Sequence, residues 1–224
     1  MHFSLEHREL TLKFVYYGPA LSGKTTNLQS IHQMLRHEGR GKLMTLDTVN
    51  DRTLFFDLLP VFLETSSGFK VKLKLFTVPG QVIHNSTRKL VLAGADGVAF
   101  IADSQRSMTK ANNNSWLNMV ENLRQNGLNP DETPMVIQFN KRDLADIKSD
   151  EEIDEVGRRG HELVFRSVAV KGVGVFETLI GLAGVTWSKL DTKLQLESRF
   201  KVSRDDFLRN LARQLVNPNN LKAT

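Results

Sequence analysis

Hydrophobic positions along the chain alternate between short continuous apolar runs and stretches with helical spacing. Thr11-Leu12-Lys13-Phe14-Val15-Tyr16-Tyr17 is β-branched and aromatic and predicts a buried strand, and Thr26 to His37, with Leu28, Ile31 and Leu35 on one face, predicts a helix. Phe69 to Val78 predicts a further strand, Ser86 to Ala93 a short helix, and Gly97-Val98-Ala99-Phe100-Ile101-Ala102 a strand buried on both faces. Asn112 to Gln125 carries Trp116, Met119, Val120 and Leu123 on one helical face, and Pro134 to Phe139 is another buried strand. Ser149 with Glu152 three residues on forms a capping-box pattern that opens an acidic helix over Asp150 to Gly157. Leu163 to Val170 gives one more strand and Phe176 to Leu190 one more helix. Such alternation predicts an α/β fold with a mostly parallel central sheet, helices on both faces and ligand loops at the carboxyl ends of the strands.

Two stretches depart from this rhythm. Thr45 to Phe69 mixes the polar Thr-Val-Asn-Asp-Arg-Thr with the apolar Leu54-Phe55-Phe56-Asp57-Leu58-Leu59-Pro60, which suits either a segment that rearranges or a plain hairpin. Beyond Leu190 the α/β pattern stops, and residues 191–224 hold seven Lys/Arg against four Asp/Glu, a local charge of +3. Phe207, Leu208, Leu211, Leu215 and Val216 recur there at helical spacing, with Asp205 or Ser203 as an N-terminal cap. The expected division is therefore a domain over 1–190 and a C-terminal extension over 191–224 whose amphipathic helix either docks on its own domain or meets a partner or a membrane surface.

Composition narrows the setting. At 224 residues the chain can bury a sizeable core. No run approaches the apolar length of a membrane span, and the polar start lacks the core of a signal peptide, so the expected compartment is the cytoplasm. The absence of cysteine excludes disulfides, CxxC redox chemistry and thiolate zinc sites. The net charge of +5 is a modest excess without a dense Lys/Arg block or an aromatic–basic ladder, and no nucleic-acid partner is expected. Six histidines lie scattered without metal-ligand spacing, and His84 reads as a surface residue rather than a base.

The candidate chemistry begins between the first strand and the first helix. Gly18-Pro19-Ala20-Leu21-Ser22-Gly23-Lys24-Thr25 matches GxxxxGK followed by Ser or Thr, a loop whose backbone N–H groups form an anion nest backed by the helix dipole. The residues expected to hold phosphates are Gly18, Ala20, Leu21, Ser22, Gly23, Lys24, Thr25 and Thr26, with Lys24 reaching the β- and γ-phosphates and the Thr25 hydroxyl placed on Mg²⁺, a hard cation that takes oxygen ligands. After the strand ending at Phe139, Asn140-Lys141-Arg142-Asp143 matches NKxD, the guanine-reading motif of Ras-like GTPases. A carboxylate such as Asp143 accepts the paired donors of guanine N1–H and its exocyclic amine, a pair that adenine lacks. Asn140 would tie the base-binding loops together and the Lys141 stem would cover the base. Val168-Ala169-Val170 stands where such proteins carry SAK, and alignment with Gly174-Val175 puts the Ala169 N–H at the guanine O6. Thr77-Val78-Pro79-Gly80-Gln81 is similar to DxxGQ, with Gly80 sensing the γ-phosphate through its N–H and Gln81 orienting the attacking water. Thr77 replaces the Asp that normally supports Mg²⁺.

Together these features resemble MglA, the Ras-like GTPase family that sets cell polarity and motility in bacteria. The resemblance rests on Val15-Tyr16-Tyr17-Gly18-Pro19, Asn27-Leu28-Gln29, Asp51-Arg52-Thr53-Leu54-Phe55-Phe56-Asp57, Thr77-Val78-Pro79-Gly80-Gln81, Ala102-Asp103-Ser104-Gln105 and Lys171-Gly172-Val173-Gly174-Val175-Phe176, and it covers about residues 8 to 190. Thr77 in place of Asp is itself a trait of that family. The resemblance implies a P-loop small-GTPase fold and a GTP/GDP switch with Mg²⁺. It also implies an MglB-like roadblock-domain activator, polarity or motility effectors, and recruitment to a cell pole. It makes Arg52 an arginine finger supplied in cis and Thr53 the Mg²⁺ and γ-phosphate sensor of a segment that orders over the nucleotide. The corresponding catalytic set is Gln81, Arg52 and Lys24, and the corresponding metal ligands are Thr25 and Thr53. The competing expectation is a GTP-dependent scaffold with negligible hydrolysis.

Overall fold

The central strand of the sheet, β2 (Glu9–Tyr17), is apolar toward both sides: Leu10, Leu12, Phe14 and Tyr16 enter one core and Val15 and Tyr17 the other, all fully buried. The computed structural model describes residues 1–46 and 56–215. Along the chain, β1 (His2–Ser4) and β2 lead into α1 (Lys24–Met34), then β3 (Met44–Leu46), β4 (Phe56–Glu64), β5 (Lys70–Thr77) and α2 (Asn85–Leu92). The remaining elements are β6 (Gly97–Asp103), α3 (Thr109–Gln125), β7 (Met135–Asn140), α4 (Asp150–Arg159), β8 (Leu163–Arg166), α5 (Val175–Leu194), α6 (Leu196–Phe200) and α7 (Arg204–Leu215).

The sheet order is β3-β4-β5-β2-β6-β7-β8, with β1 paired to β2 off that path. β5, β2, β6, β7 and β8 run parallel, whereas β3/β4, β4/β5 and β1/β2 are antiparallel. Because β2 is flanked by β5 and β6, the strand order reverses beside it, and the crevice beyond its carboxyl end is where open α/β sheets bind ligands. Helices α1, α5 and α7 cover one face of the sheet, and α2, α3 and α4 the other. This is the architecture of a P-loop small GTPase.

The strand and helix expectations hold in their central stretches, and the differences lie at ends. The first helix stops at Met34 because Leu35 turns extended, although Leu35 stays buried. The last strand stops at Arg166, four residues short, where the chain turns into one helical turn at Ala169–Lys171. Of the two forms open for Thr45 to Phe69, the described part is a hairpin: β4 pairs with β5 in the register Leu58↔Phe76 to Glu64↔Lys70. The capping box is present, with Ser149 Oγ accepting from the Glu152 N–H and Glu152 reaching back to the Ser149 N–H.

The amphipathic helix of the C-terminal extension lies on its own domain. Ser203 Oγ, rather than Asp205, caps it by accepting the Asp206 N–H at 3.1 Å. Phe207, Leu211 and Leu215 are buried, and the Phe207 ring stacks on Trp187 of α5 with centroids 4.2 Å apart. Its polar side is tied down as well: the Asp206 carboxylate accepts the Ser66 N–H and hydroxyl at 3.1 and 2.6 Å at the β4–β5 turn. No helix among the described residues is long and apolar enough to cross a membrane.

Candidate functional site

β2 ends at Tyr17 and α1 begins at Lys24, so the phosphate-loop motif spans the break between them. The glycine at 23 is required there: its φ is 97°, and a Cβ would sit 2.2 Å from the Asn140 Nδ2. Beside this loop lies a cavity of about 640 Å³ lined by Ala20, Leu21, Gly23, Lys24, Thr25 and Thr26, with Asp57, Thr77, Pro79, Gly80 and Gln81 on the facing side. Gly80 comes so close to the loop that a Cβ on it would lie 2.4 Å from Ala20 Cα, which is why the TVPGQ segment needs glycine at that position. Gln81 is exposed at the cavity wall.

Lys24 is buried, with its Nζ donating to the Gly18 and Pro19 carbonyls at 3.1 and 2.6 Å. Burial pushes this ammonium down to about 7; the nearby Arg88 guanidinium adds to the shift and Asp57 opposes it. An anion in the cavity would reverse the balance, since a polyphosphate favours the charged ammonium.

Sequence reasoning missed the residue that gathers the hydroxyls at one end of the cavity. Thr77 carries no carboxylate, but Asp57, on the antiparallel neighbour β4, brings one to the same place. Its Oδ2 accepts from the Thr25 hydroxyl at 2.7 Å and the Thr77 hydroxyl at 2.9 Å, its Oδ1 from the Thr45 hydroxyl at 2.9 Å, and its own N–H donates to Thr77 Oγ1 at 2.8 Å. A signal was available: Asp57 shares the buried parity of β4 with Leu59, Val61 and Leu63, where a carboxylate is out of place without partners. Among the described residues no three His, Cys, Asp or Glu gather as a metal cluster. The donor set at this end is therefore hydroxyl and carboxylate oxygen alone, which fits Mg²⁺ with phosphate and water completing its shell.

The base-reading motif sits at the end of β7 and is joined to the phosphate loop. Asn140 Nδ2 donates to the Ser22 carbonyl at 2.9 Å, while its Oδ1 accepts from the Ser167 hydroxyl at 3.0 Å and the Ala169 N–H at 2.9 Å. Ala169 is itself buried, beyond the end of β8, and its N–H is turned toward Asn140. Lys141 is held by Asp103, a buried carboxylate at the end of β6 that was not singled out, at 2.7 Å. Asp143 is exposed in the loop that follows. Thr26 and Leu21 line the cavity, Leu21 with its side chain exposed, while Gly18 and Ser22 belong to the loop behind it. Arg52 and Thr53 lie outside the described residues.

No protein-family model matches the chain. It is 46% identical over 183 residues to the mutual gliding-motility protein MglA of Myxococcus xanthus (strain DK1622), an alignment that covers 82% of this chain and 94% of that protein. With that identity across most of both chains, and a nucleotide-type crevice at the switch point of the sheet, this chain belongs to the MglA family.

Proposed function

We propose that the protein is a GTP/GDP switch of the gliding-motility or cell-polarity kind that hydrolyses GTP to GDP and phosphate. One observation carries most of this reading. The Asn140 amide bridges the NKxD turn to the Ser22 carbonyl of the phosphate loop, so the residues suited to guanine are tied directly to those suited to phosphate. In this reading Lys24 and the loop N–H groups hold the β- and γ-phosphates, and Asp143 reads the base. Gln81 orients the water whose oxygen bonds to the γ-phosphorus as the bridging bond to the β-phosphate breaks, the water's proton leaving with the phosphate products. Mg²⁺, held from Thr25 and Thr53 with Asp57 behind them, would neutralise phosphate charge.

Arg52 supplies a cationic finger in cis. Slow basal turnover is expected, with stimulation by an MglB-like roadblock-domain protein that orders Arg52 and Gln81 rather than donating a finger of its own. The 1–190 stretch is the GTPase domain, and recruitment is to a cell pole. A GTP-dependent scaffold with negligible hydrolysis is the second reading, which holds if Asp57 does not make good the carboxylate that Thr77 lacks. Identification of the nucleotide that copurifies, followed by phosphate release with and without the roadblock partner, separates the two. Guanine nucleotide with partner-stimulated release supports the switch, and guanine nucleotide without release moves the function to the scaffold. Arg52→Ala should cost about 10³-fold or more in stimulated turnover, and unchanged stimulated turnover would remove the finger from the mechanism.

A further inference from the structure

Arg88, on α2, is a guanidinium sealed in the protein interior, 1% exposed. Among the described residues no carboxylate pairs with it. Its Nε donates to the Pro79 carbonyl at 2.8 Å, its Nη2 to the Gly80 carbonyl, and its Nη1 to Asn118 Oδ1 at 2.9 Å, while the guanidinium carbon lies 5.4 Å from the centroid of the Tyr17 ring. A buried cation without a counter-ion is costly, and it is tolerated here by neutral acceptors and an aromatic face. Asn118 is fixed in turn, accepting from the Tyr17 hydroxyl at 2.6 Å and donating to Asn85 Oδ1 at 2.8 Å.

The geometry of the two gripped carbonyls has a consequence for the γ-phosphate sensor. In a trans peptide the N–H points opposite the carbonyl of the same plane, and no peptide bond among the described residues is cis. In an extended chain successive carbonyls alternate sides, but those of Pro79 and Gly80 converge on one guanidinium. The N–H groups of the same two planes, those of Gly80 and Gln81, must then both turn away from α2. Among the described residues neither N–H has an acceptor. They belong to the stretch that lies against Ala20 and lines the phosphate cavity. Two successive N–H groups turned to one side make a nest for an anion.

We propose that Arg88 is a positioning residue that sets this nest: by holding both carbonyls it aims the Gly80 and Gln81 N–H groups at the terminal phosphate, and so lets the protein distinguish a nucleoside triphosphate from a diphosphate. The inference rests on the guanine-nucleotide reading above. A lysine at this position would carry the charge but not the planar fork that holds two carbonyls at once.

The test measures the affinities of the full chain for GDP and for guanylyl imidodiphosphate, a non-hydrolysable triphosphate, in the wild type and in Arg88→Met, Arg88→Lys and Asn118→Ala, with thermal unfolding of each. Arg88→Met should lose triphosphate affinity by about tenfold more than GDP affinity. Arg88→Lys should fall between it and the wild type, and Asn118→Ala should shift the ratio in the same direction by less. Should Arg88→Met fail to fold, the other two variants carry the test. Equal losses for the two nucleotides, or an unchanged ratio, in the variants that fold would overturn the role. Failure of the wild type to bind either nucleotide would instead overturn the reading beneath it.

Discussion

Asp57 shows how a single side chain can organise one end of a cavity. Under the proposed function it would stand in for the metal-supporting carboxylate that Ras-like GTPases place at the end of β5, where this chain has Thr77; Asp57 lies one strand away and accepts from the Thr77 hydroxyl at 2.9 Å. Asp57→Ala leaves three hydroxyls without their common acceptor. It should speed release of bound nucleotide in the presence of Mg²⁺ by about 10- to 100-fold, the scale of a charge-assisted hydrogen bond, while release in EDTA changes far less. Thr77→Asp alone would crowd two like-charged carboxylates together and displace the hydroxyl that Asp57 accepts from, so it should weaken Mg²⁺ retention rather than improve it. The exchange Asp57→Thr with Thr77→Asp should recover most of the loss, and stopped-flow release of a fluorescent nucleotide reads all three.

Lys24 gives a prediction at the same scale. With its ammonium at about 7 in the fold and an ordinary value of 10.5, the unfolded chain binds more protons between these limits. The nucleotide-free protein therefore gains stability from this group as pH rises through that window. Bound polyphosphate has the opposite preference. GDP binding at pH 8 should take up about one proton, and the uptake should vanish near pH 6, where Lys24 is already charged. Calorimetry in two buffers of different ionisation enthalpy counts the proton.

At the scale of elements, what was legible followed from how local each signal is. The capping box at Ser149 and Glu152 is a contact three residues apart, and β6 is a continuous apolar run; both were readable because nothing distant decides them. The end of β8 was not, since the turn beyond it is held by Asn140 at the end of the neighbouring strand β7, which accepts the Ala169 N–H. Nor was the work of Asp57, Asp103 or Arg88, whose partners lie on other elements. The C-terminal helix was legible as an amphipathic face but not in its docking, because the seat is built by Trp187 and by the β4–β5 turn. Phe207→Ala should lower the unfolding free energy by about 3–5 kcal/mol, as for other buried aromatic truncations. Leu208→Ala, at a partly exposed position of the same helix, should cost well under half of that. Denaturant unfolding measures both, and removal of residues from 203 onward should shift the fluorescence of the otherwise buried Trp187 to the red.

At the scale of the whole molecule, the proposed site has two halves on either side of β6, the phosphate loop and the NKxD turn, and an amide joins them. β2 carries the phosphate loop, β6 and β7 carry Asp103 and the base-reading turn, and the Asn140 side chain crosses between them onto Ser22. The sheet fixes the distance between the two halves, and this bridge fixes the loop directly against the turn, where the Gly23 backbone must stay close to Asn140. Asn140→Ala should therefore injure both halves. Guanine nucleotide affinity should fall by more than tenfold, about the loss of a buried hydrogen-bond hub, and affinity for tripolyphosphate, which has no base to read, should fall with it. Asp143→Ala should behave differently, since an exposed carboxylate outside the bridge can serve only the base. It should lose the preference for guanine over adenine nucleotides while binding tripolyphosphate as the wild type does. Competition titrations with the two probes separate these outcomes, and a tripolyphosphate affinity untouched by Asn140→Ala would mean that the phosphate loop holds its shape without the bridge.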